Sequence, residues 1–148
     1  MNSAEVPAGC ERLRQDGFMG YLDGIRVRRH DMGIDTCLLV VPHHLNPNGM
    51  VRGDILLSLL DYTLGGTAEQ ILASSDDGGL VAARRHPITI SLTTRFTGGA
   101  RHGLPLSGRA RVQRRTRPVS FVAGELTSGD LTVATTAAIS RNSPAARG

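Results

Sequence analysis

Apolar positions along the chain follow two periods, and the change between them marks out the elements. From Ile55 to Leu72 the residues Ile55, Leu56, Leu59, Leu60, Leu64, Ala68, Ile71 and Leu72 recur at helical spacing, predicting one long helix. Asp54, Ser58, Asp61 and Gly65 share another face of it, within about 60° of one another at 100° per residue. Upstream, Ile25 with Val27 and the stretch Thr36 to Val41 read as two short strands joined around Asp31-Met32-Gly33. Asn46-Pro47-Asn48-Gly49 then breaks the chain with turn chemistry. Downstream, after a Ser/Asp/Gly loop at Ser74 to Gly79, four strand-like segments follow: Ala82 to Thr97, Leu106 to Arg115, Val119 to Thr127 and Leu131 to Ser140. The links Gly98-Gly99, Arg117-Pro118 and Ser128-Gly129-Asp130 are short, so antiparallel neighbours are expected. One striped helix with a mostly antiparallel sheet is an α+β layout in which the sheet curls around the helix.

The 148 residues make one domain. Residues 1–20 read as a flexible lead-in, 21–141 as the folded domain and 142–148 as a frayed tail. Aromatic residues are scarce and Trp is absent, so Leu, Ile, Val and Ala must build the core. Gly65-Gly66 inside the helix costs about 1 kcal/mol per glycine against alanine. Close approach of another backbone would explain it, and so would a simply looser helix.

Several function classes fall away. No apolar run approaches the roughly 20 residues that span a bilayer, and the start of the chain lacks the apolar core of a secretory signal. A cytoplasmic protein without membrane partners is expected. Cys10 and Cys37 carry no CxxC pairing and read as reduced bystanders. The pair His43-His44 matches no metal-ligand spacing, so no metal is expected. The formal charge is +4, and every positive side chain is Arg, which suits an anionic partner. A nucleic-acid reading lacks stacking aromatics, with only Phe96 and Phe121 near the arginines. No GxSxG nucleophile elbow is present.

Candidate chemistry sits where the turn enters the helix. At Gly53 unpaired backbone N–H groups and the positive end of the helix dipole can receive a carbonyl oxygen that is gaining negative charge. Two turns on, Asp61 offers a carboxylate to activate water or to attack directly. Together these are what thioester hydrolysis requires. Taken alone, an Asp in a helix also fits a surface residue or half of an ion pair.

The segment Asn46-Pro47-Asn48-Gly49-Met50-Val51-Arg52-Gly53-Asp54, with Asp61 following, resembles the hotdog-fold thioesterases of the phenylacetate-degradation type. Their signature is N-x-x-G-x-x-H-G-G and then a helical Asp or Glu, matched here by Asn46, Gly49, Gly53 and Asp61. The stretches Ile88 to Phe96 and Gly98 to Gly103, and the hairpin from Ala110 to Phe121, extend the similarity over about residues 20 to 140.

The resemblance implies a hotdog fold, a long central helix wrapped by a curved, mostly antiparallel sheet, that hydrolyses an acyl- or aroyl-CoA. Asp61 would be general base or nucleophile, the Gly53 amide would polarise the carbonyl, and Asn46 would position the water or the carbonyl. Thr89 would face the same site from the sheet. Gly49, Arg52 and Asp54 would line the substrate, and Arg114 and Arg117 would meet the phosphates of coenzyme A. Arg84-Arg85-His86 is a second basic spot, and a solvated strand face is the plain reading of the arginine-rich hairpin. No cofactor is implied beyond the coenzyme A of the substrate. Family members form homodimers by joining sheets edge to edge and often pair again into tetramers. Each site is then built from two chains, with Asp61 meeting a partner's Gly53.

Two departures stand out. The family's His is Arg52 and its second Gly is Asp54. Arg52 and Asp54 can neutralise each other, or Arg52 can pair with an Asp61 and lower its basicity. The alternative function is therefore a non-hydrolytic protein binding acyl-CoA or acyl-carrier protein. A hydratase on this fold would want an Asp and a His facing one acyl chain, and the predicted helix has no His.

Overall fold

The computed structural model describes residues 6–74 and 86–142. Its elements are β1 (Glu11–Arg12), α1 (Phe18–Leu22), β2 (Ile25–His30), β3 (Gly33–Leu38) and a 3-10 turn at Pro42–His44. Then come the long helix α2 (Gly53–Ser74) and strands β4 (Ile88–Phe96), β5 (Leu106–Arg115), β6 (Val119–Ser128) and β7 (Leu131–Arg141). The expected loop beyond Ser74 and the pair Arg84-Arg85 lie outside the described residues. Within the segment read as a lead-in, Glu11–Arg12 pairs antiparallel with β2. Among the described residues no helix is long and apolar enough to cross a membrane.

Helix α2 forms where the spacing predicts it and extends two residues further at each end. Its inward stripe joins Leu59, Leu60 and Leu64 to Leu38, Leu106, Leu126 and Val133 of the sheet, all essentially without solvent contact. Full burial of each such leucine is worth about 1.5–3 kcal/mol. Two threonines complete the stripe, which hydrophobic spacing alone does not reveal. Thr63 Oγ1 donates to Leu59 O (2.6 Å), so the hydrogen bond with Thr36 (2.7 Å) takes its proton from Thr36. Thr67 Oγ1 accepts the Ile34 N–H of β3 at 3.1 Å.

The helix lies close to the sheet because key positions have no side chain. A Cβ at Gly108 would lie 2.8 Å from Thr63 Oγ1 and collide with Thr36 Oγ1; one at Gly124 would lie 2.7 Å from Leu64 Cδ1. At Gly66 a Cβ would collide with Ile34 Cδ1. The close approach at the helical glycine pair is thus made by a β3 side chain, not by another backbone, and it concerns Gly66 alone.

The strands form one antiparallel sheet in the order β1-β2-β3-β5-β6-β7-β4. Consecutive pairing holds for β2–β3, β5–β6 and β6–β7. It fails at Gly98-Gly99, where the expectation that β4 and β5 are neighbours is corrected. β4 pairs with β7 through Thr93↔Ala137, whereas β5 lies between β3 and β6. The reason is in the link. Thr97 N–H holds Val133 O (2.9 Å), keeping the end of β4 on β7. Val51 N–H then takes Ala100 O (2.8 Å) and Met50 bridges Arg101, so the chain crosses the start of α2 instead of turning back. The crossing leaves β4 as the sheet's last strand among the described residues, with Ile88, Ile90 and Phe96 each more than half exposed.

His44 anchors the entry to the helix. Its ring is fully buried; Nδ1 accepts from Val41 N–H (3.1 Å), which leaves Nε2–H to donate to Leu22 O. Its own carbonyl accepts from Arg52 N–H (3.0 Å), one residue before α2. Burial lowers its pKa below the ordinary 6.5, against a smaller upward pull from the Leu22 carbonyl, and neighbouring His43 lowers it further.

Two outcomes follow from this packing. Gly108→Ala should cost about 1–3 kcal/mol, as overpacked cores do, because the added methyl displaces the Thr36–Thr63 hydrogen bond; urea unfolding measures it. The unfolded chain takes up the His44 proton at a higher pH than the fold does. Stability carried by this group is therefore complete above about pH 6.5 and declines as pH falls below it. Urea midpoints measured across pH 7 to 5 should fall in wild type and flatten in His44→Gln.

Candidate active site at the helix entry and the last strand

The turn before α2 is closed by Asn46. Its Oδ1 accepts from Asn48 N–H (3.0 Å) and Met50 N–H (3.1 Å), while its backbone N–H takes Met50 O (2.7 Å). An Asn side chain that replaces a backbone acceptor in this way sets a turn. Gly49 takes φ +75°, the left-handed conformation that side chains rarely adopt. Asn46 Nδ2 has no partner among the described residues.

Gly53 opens the helix. Ile55 and Leu56 N–H both reach Arg52 O at 3.1 Å, whereas Gly53 N–H has no acceptor among the described residues. The side chains on either side of it close on each other. Arg52 Nε reaches Asp54 Oδ1 (3.1 Å) and Nη2 reaches Oδ2 (2.7 Å). That fork holds the Asp54 carboxyl below its ordinary range and raises the Arg52 guanidinium. Of the two pairings open to Arg52, the one formed within the chain is with Asp54. The fork neutralises the carboxylate beside the free Gly53 N–H, and within the chain Arg52 does not pair with Asp61.

Asp61 lies on the exposed face of α2, where Thr89 Oγ1 donates to its Oδ1 at 2.8 Å. Oδ2 has no partner among the described residues. Thr89 is in β4 opposite Ser140, so the last strand supplies the group that orients the carboxylate. Around them opens a groove of about 440 Å³, lined among others by Asp61, Gly65, Glu69, His86, Thr89 and Arg29. Glu69 follows Asp61 by eight residues on the same helix face, a spacing that could have drawn it into the sequence-based site. His86 pairs with Glu69 at 3.2 Å and so enters the groove from the approach to β4, not from the helix.

The structure does not gather every predicted residue. Gly53 and Asp61 are eight residues apart on one straight helix, about 12 Å at 1.5 Å per residue. β4 runs alongside in the opposite sense, with Phe96 at Gly53 and Thr89 at Asp61. One thioester carbonyl cannot touch both groups of one chain. Arg114 lies in β5 opposite Phe121, and Arg117 lies just beyond β5 in the turn to β6; neither lines the Asp61 groove. Arg109 and Arg111, with Glu125 and Thr135, line a separate hollow of about 280 Å³. No group of three His, Cys, Asp or Glu suited to a metal ion occurs among the described residues.

No protein-family model matches the sequence, and no curated protein does. Solved structures match closely in shape. A phenylacetic acid degradation-related protein from Ralstonia eutropha is 27% identical, with a TM-score of 0.60 over 95% of this chain and 93% of that one. The PaaI protein of the E. coli phenylacetic acid degradation operon is 18% identical, with a TM-score of 0.73 over 86% and 85%. A hypothetical thioesterase protein from Streptococcus pneumoniae, solved with coenzyme A, is 12% identical, with a TM-score of 0.67 over 84% and 93%. A single long helix seated on an open antiparallel sheet, shared with these molecules, makes the chain a hotdog-fold protein. Its structural neighbours within that class are the PaaI-type and thioesterase-superfamily proteins.

The two ends of Asn46 can be separated by substitution. Asn46→Asp keeps the Oδ1 acceptor and should hold the wild-type melting temperature while losing the Nδ2 donor. Asn46→Ala loses both and should unfold earlier, by about 1 kcal/mol for the missing turn bonds; thermal melts of the two variants side by side check this.

Proposed function

We propose that the protein is an acyl-CoA thioesterase working as a homodimer, with Asp61 as general base or nucleophile. The observation that carries this reading is the Asp61–Thr89 pair in an open groove on the helix whose first N–H, at Gly53, lies free about 12 Å away. A two-fold mate joined along β4 would bring the Gly53 of the partner subunit toward Asp61. An exposed edge strand with unpaired backbone groups invites such pairing, and Ile88, Ile90 and Phe96 give β4 apolar area to bury. The coenzyme A in a structural neighbour supports the substrate class. Arg114 and Arg117 are proposed to meet its phosphates.

The chemistry follows from these groups. Thr89 holds Oδ1, leaving Oδ2 to take a proton from water as the water oxygen bonds to the thioester carbon. The carbonyl oxygen gains charge against the Gly53 N–H, where a preorganised donor is most effective. Asn46 Nδ2 is free to orient the water or the carbonyl. Collapse of the intermediate breaks the C–S bond, and the coenzyme A thiolate leaves and collects the proton. In the covalent variant Oδ2 itself attacks, and water then hydrolyses the anhydride. Closure of Arg52 on Asp54 supports retention of this activity despite the altered motif, since no unpaired negative charge then faces the oxyanion.

Free-thiol release from short, medium, long and aromatic acyl-CoAs tests the proposal. Turnover by wild type should fall about 10²- to 10⁴-fold in Asp61→Asn, the usual loss for a general base, with the oligomer unchanged. Tight acyl-CoA binding without turnover in either protein would instead make this a hotdog protein converted to binding.

A further inference from the structure

Two adjacent glycines in the middle of α2 demand separate explanations. Gly66 has one, since any Cβ there would collide with the buried Ile34. Gly65 has none among the described residues. A Cβ there would meet no atom of the described residues within 4 Å, and its φ is not in the left-handed range. A helix interior disfavours glycine against every residue but proline, and alanine would be accommodated without strain. Gly65 does line the Asp61 groove, on the same helix face and one turn beyond the carboxylate. The next turn carries Glu69, paired with His86. The groove therefore passes from Asp61 over a floor with no side chain to a polar pair about 12 Å along the helix.

We infer that Gly65 is the specificity-determining residue of the site. The acyl group of the substrate runs from Asp61 over Gly65 toward Glu69 and His86, and the bare floor admits groups broader or longer than a two-carbon unit. The inference rests on the acyl-CoA reading and adds to it the path of the acyl group and the residue that sets its width. A side chain at 65 would project into the groove beside the reacting carbon's substituent and narrow it, leaving Asp61, Thr89 and Gly53 untouched.

Non-hydrolysable thioethers of coenzyme A test this independently of turnover. Calorimetry would compare S-ethyl-, S-octyl- and S-benzyl-CoA on wild type, Gly65→Ala and Gly65→Leu. Gly65→Leu should bind the octyl and benzyl ligands roughly ten-fold or more weaker, the scale on which one methylene counts in a fitted pocket. S-ethyl-CoA should bind as it does to wild type, and Gly65→Ala should fall between. Both variants favour the helix more than glycine does, so helix content by circular dichroism and subunit mass by sedimentation should be retained. Equal weakening of all three ligands, no weakening of any, or a changed subunit mass would overturn the inference and make Gly65 a packing or interface residue. Failure of wild type to bind any of the thioethers would overturn the acyl-CoA reading itself, and the inference with it.

Discussion

The close seating of α2 on the sheet is the constraint from which the rest follows. Gly66 admits Ile34, Gly124 admits Leu64, and Gly108 admits the hydroxyls of Thr36 and Thr63. Each contact fills space that a side chain would occupy, so the helix can neither rotate nor lift without opening a cavity or stranding a buried hydroxyl. Thr63 and Thr67 place polar groups in that seam and satisfy them there, tying the helix to β3 by hydrogen bonds as well as by packing. A helix held in this way presents one fixed face outward. That face carries Asp61, Gly65 and Glu69 in line.

Local pairing then sorts the charges. Around Gly53 an arginine and a carboxylate cancel at short range, although each is exposed enough to be solvated. Such a pair adds little to stability; in the proposed reaction its effect would be on the local field, which stays favourable to an incoming anionic oxygen. Among the described residues Asp61 is held by a neutral hydroxyl and not by a cation. The hydroxyl fixes the direction of Oδ1 and leaves Oδ2 without a partner among the described residues. In the proposed reaction the two departures from the thioesterase motif are compatible with the chemistry because they neutralise each other.

β4 links the two ends of the proposed chemistry. One strand touches Gly53 through Phe96 and orients Asp61 through Thr89, while its outer edge carries no further strand among the described residues. In the proposed dimer the same strand would carry the interface. A change at that edge would act on both assembly and catalysis, because the carboxylate of one chain and the free amide of the other depend on its position.

Hydrophobic spacing by itself determined the long helix and three strand pairings, because apolar periodicity and short turns are local properties of the chain. The turn chemistry of Asn46 and Gly49, the free helix entry at Gly53 and the outward Asp61 were legible for the same reason. The place of β4 was not. The two glycines after it look like a hairpin, and only the hydrogen bonds of Val51 to Ala100 and Thr97 to Val133 direct the chain across the helix. The buried role of Thr63 and Thr67, the approach of His86 to Glu69 and the choice of Asp54 over Asp61 by Arg52 were likewise decided by tertiary structure. Each depends on a distance between segments far apart in sequence or on competition between partners, which no residue-by-residue pattern encodes. The same holds for the two helical glycines, identical as residues, of which packing explains Gly66 and leaves Gly65 open to the groove.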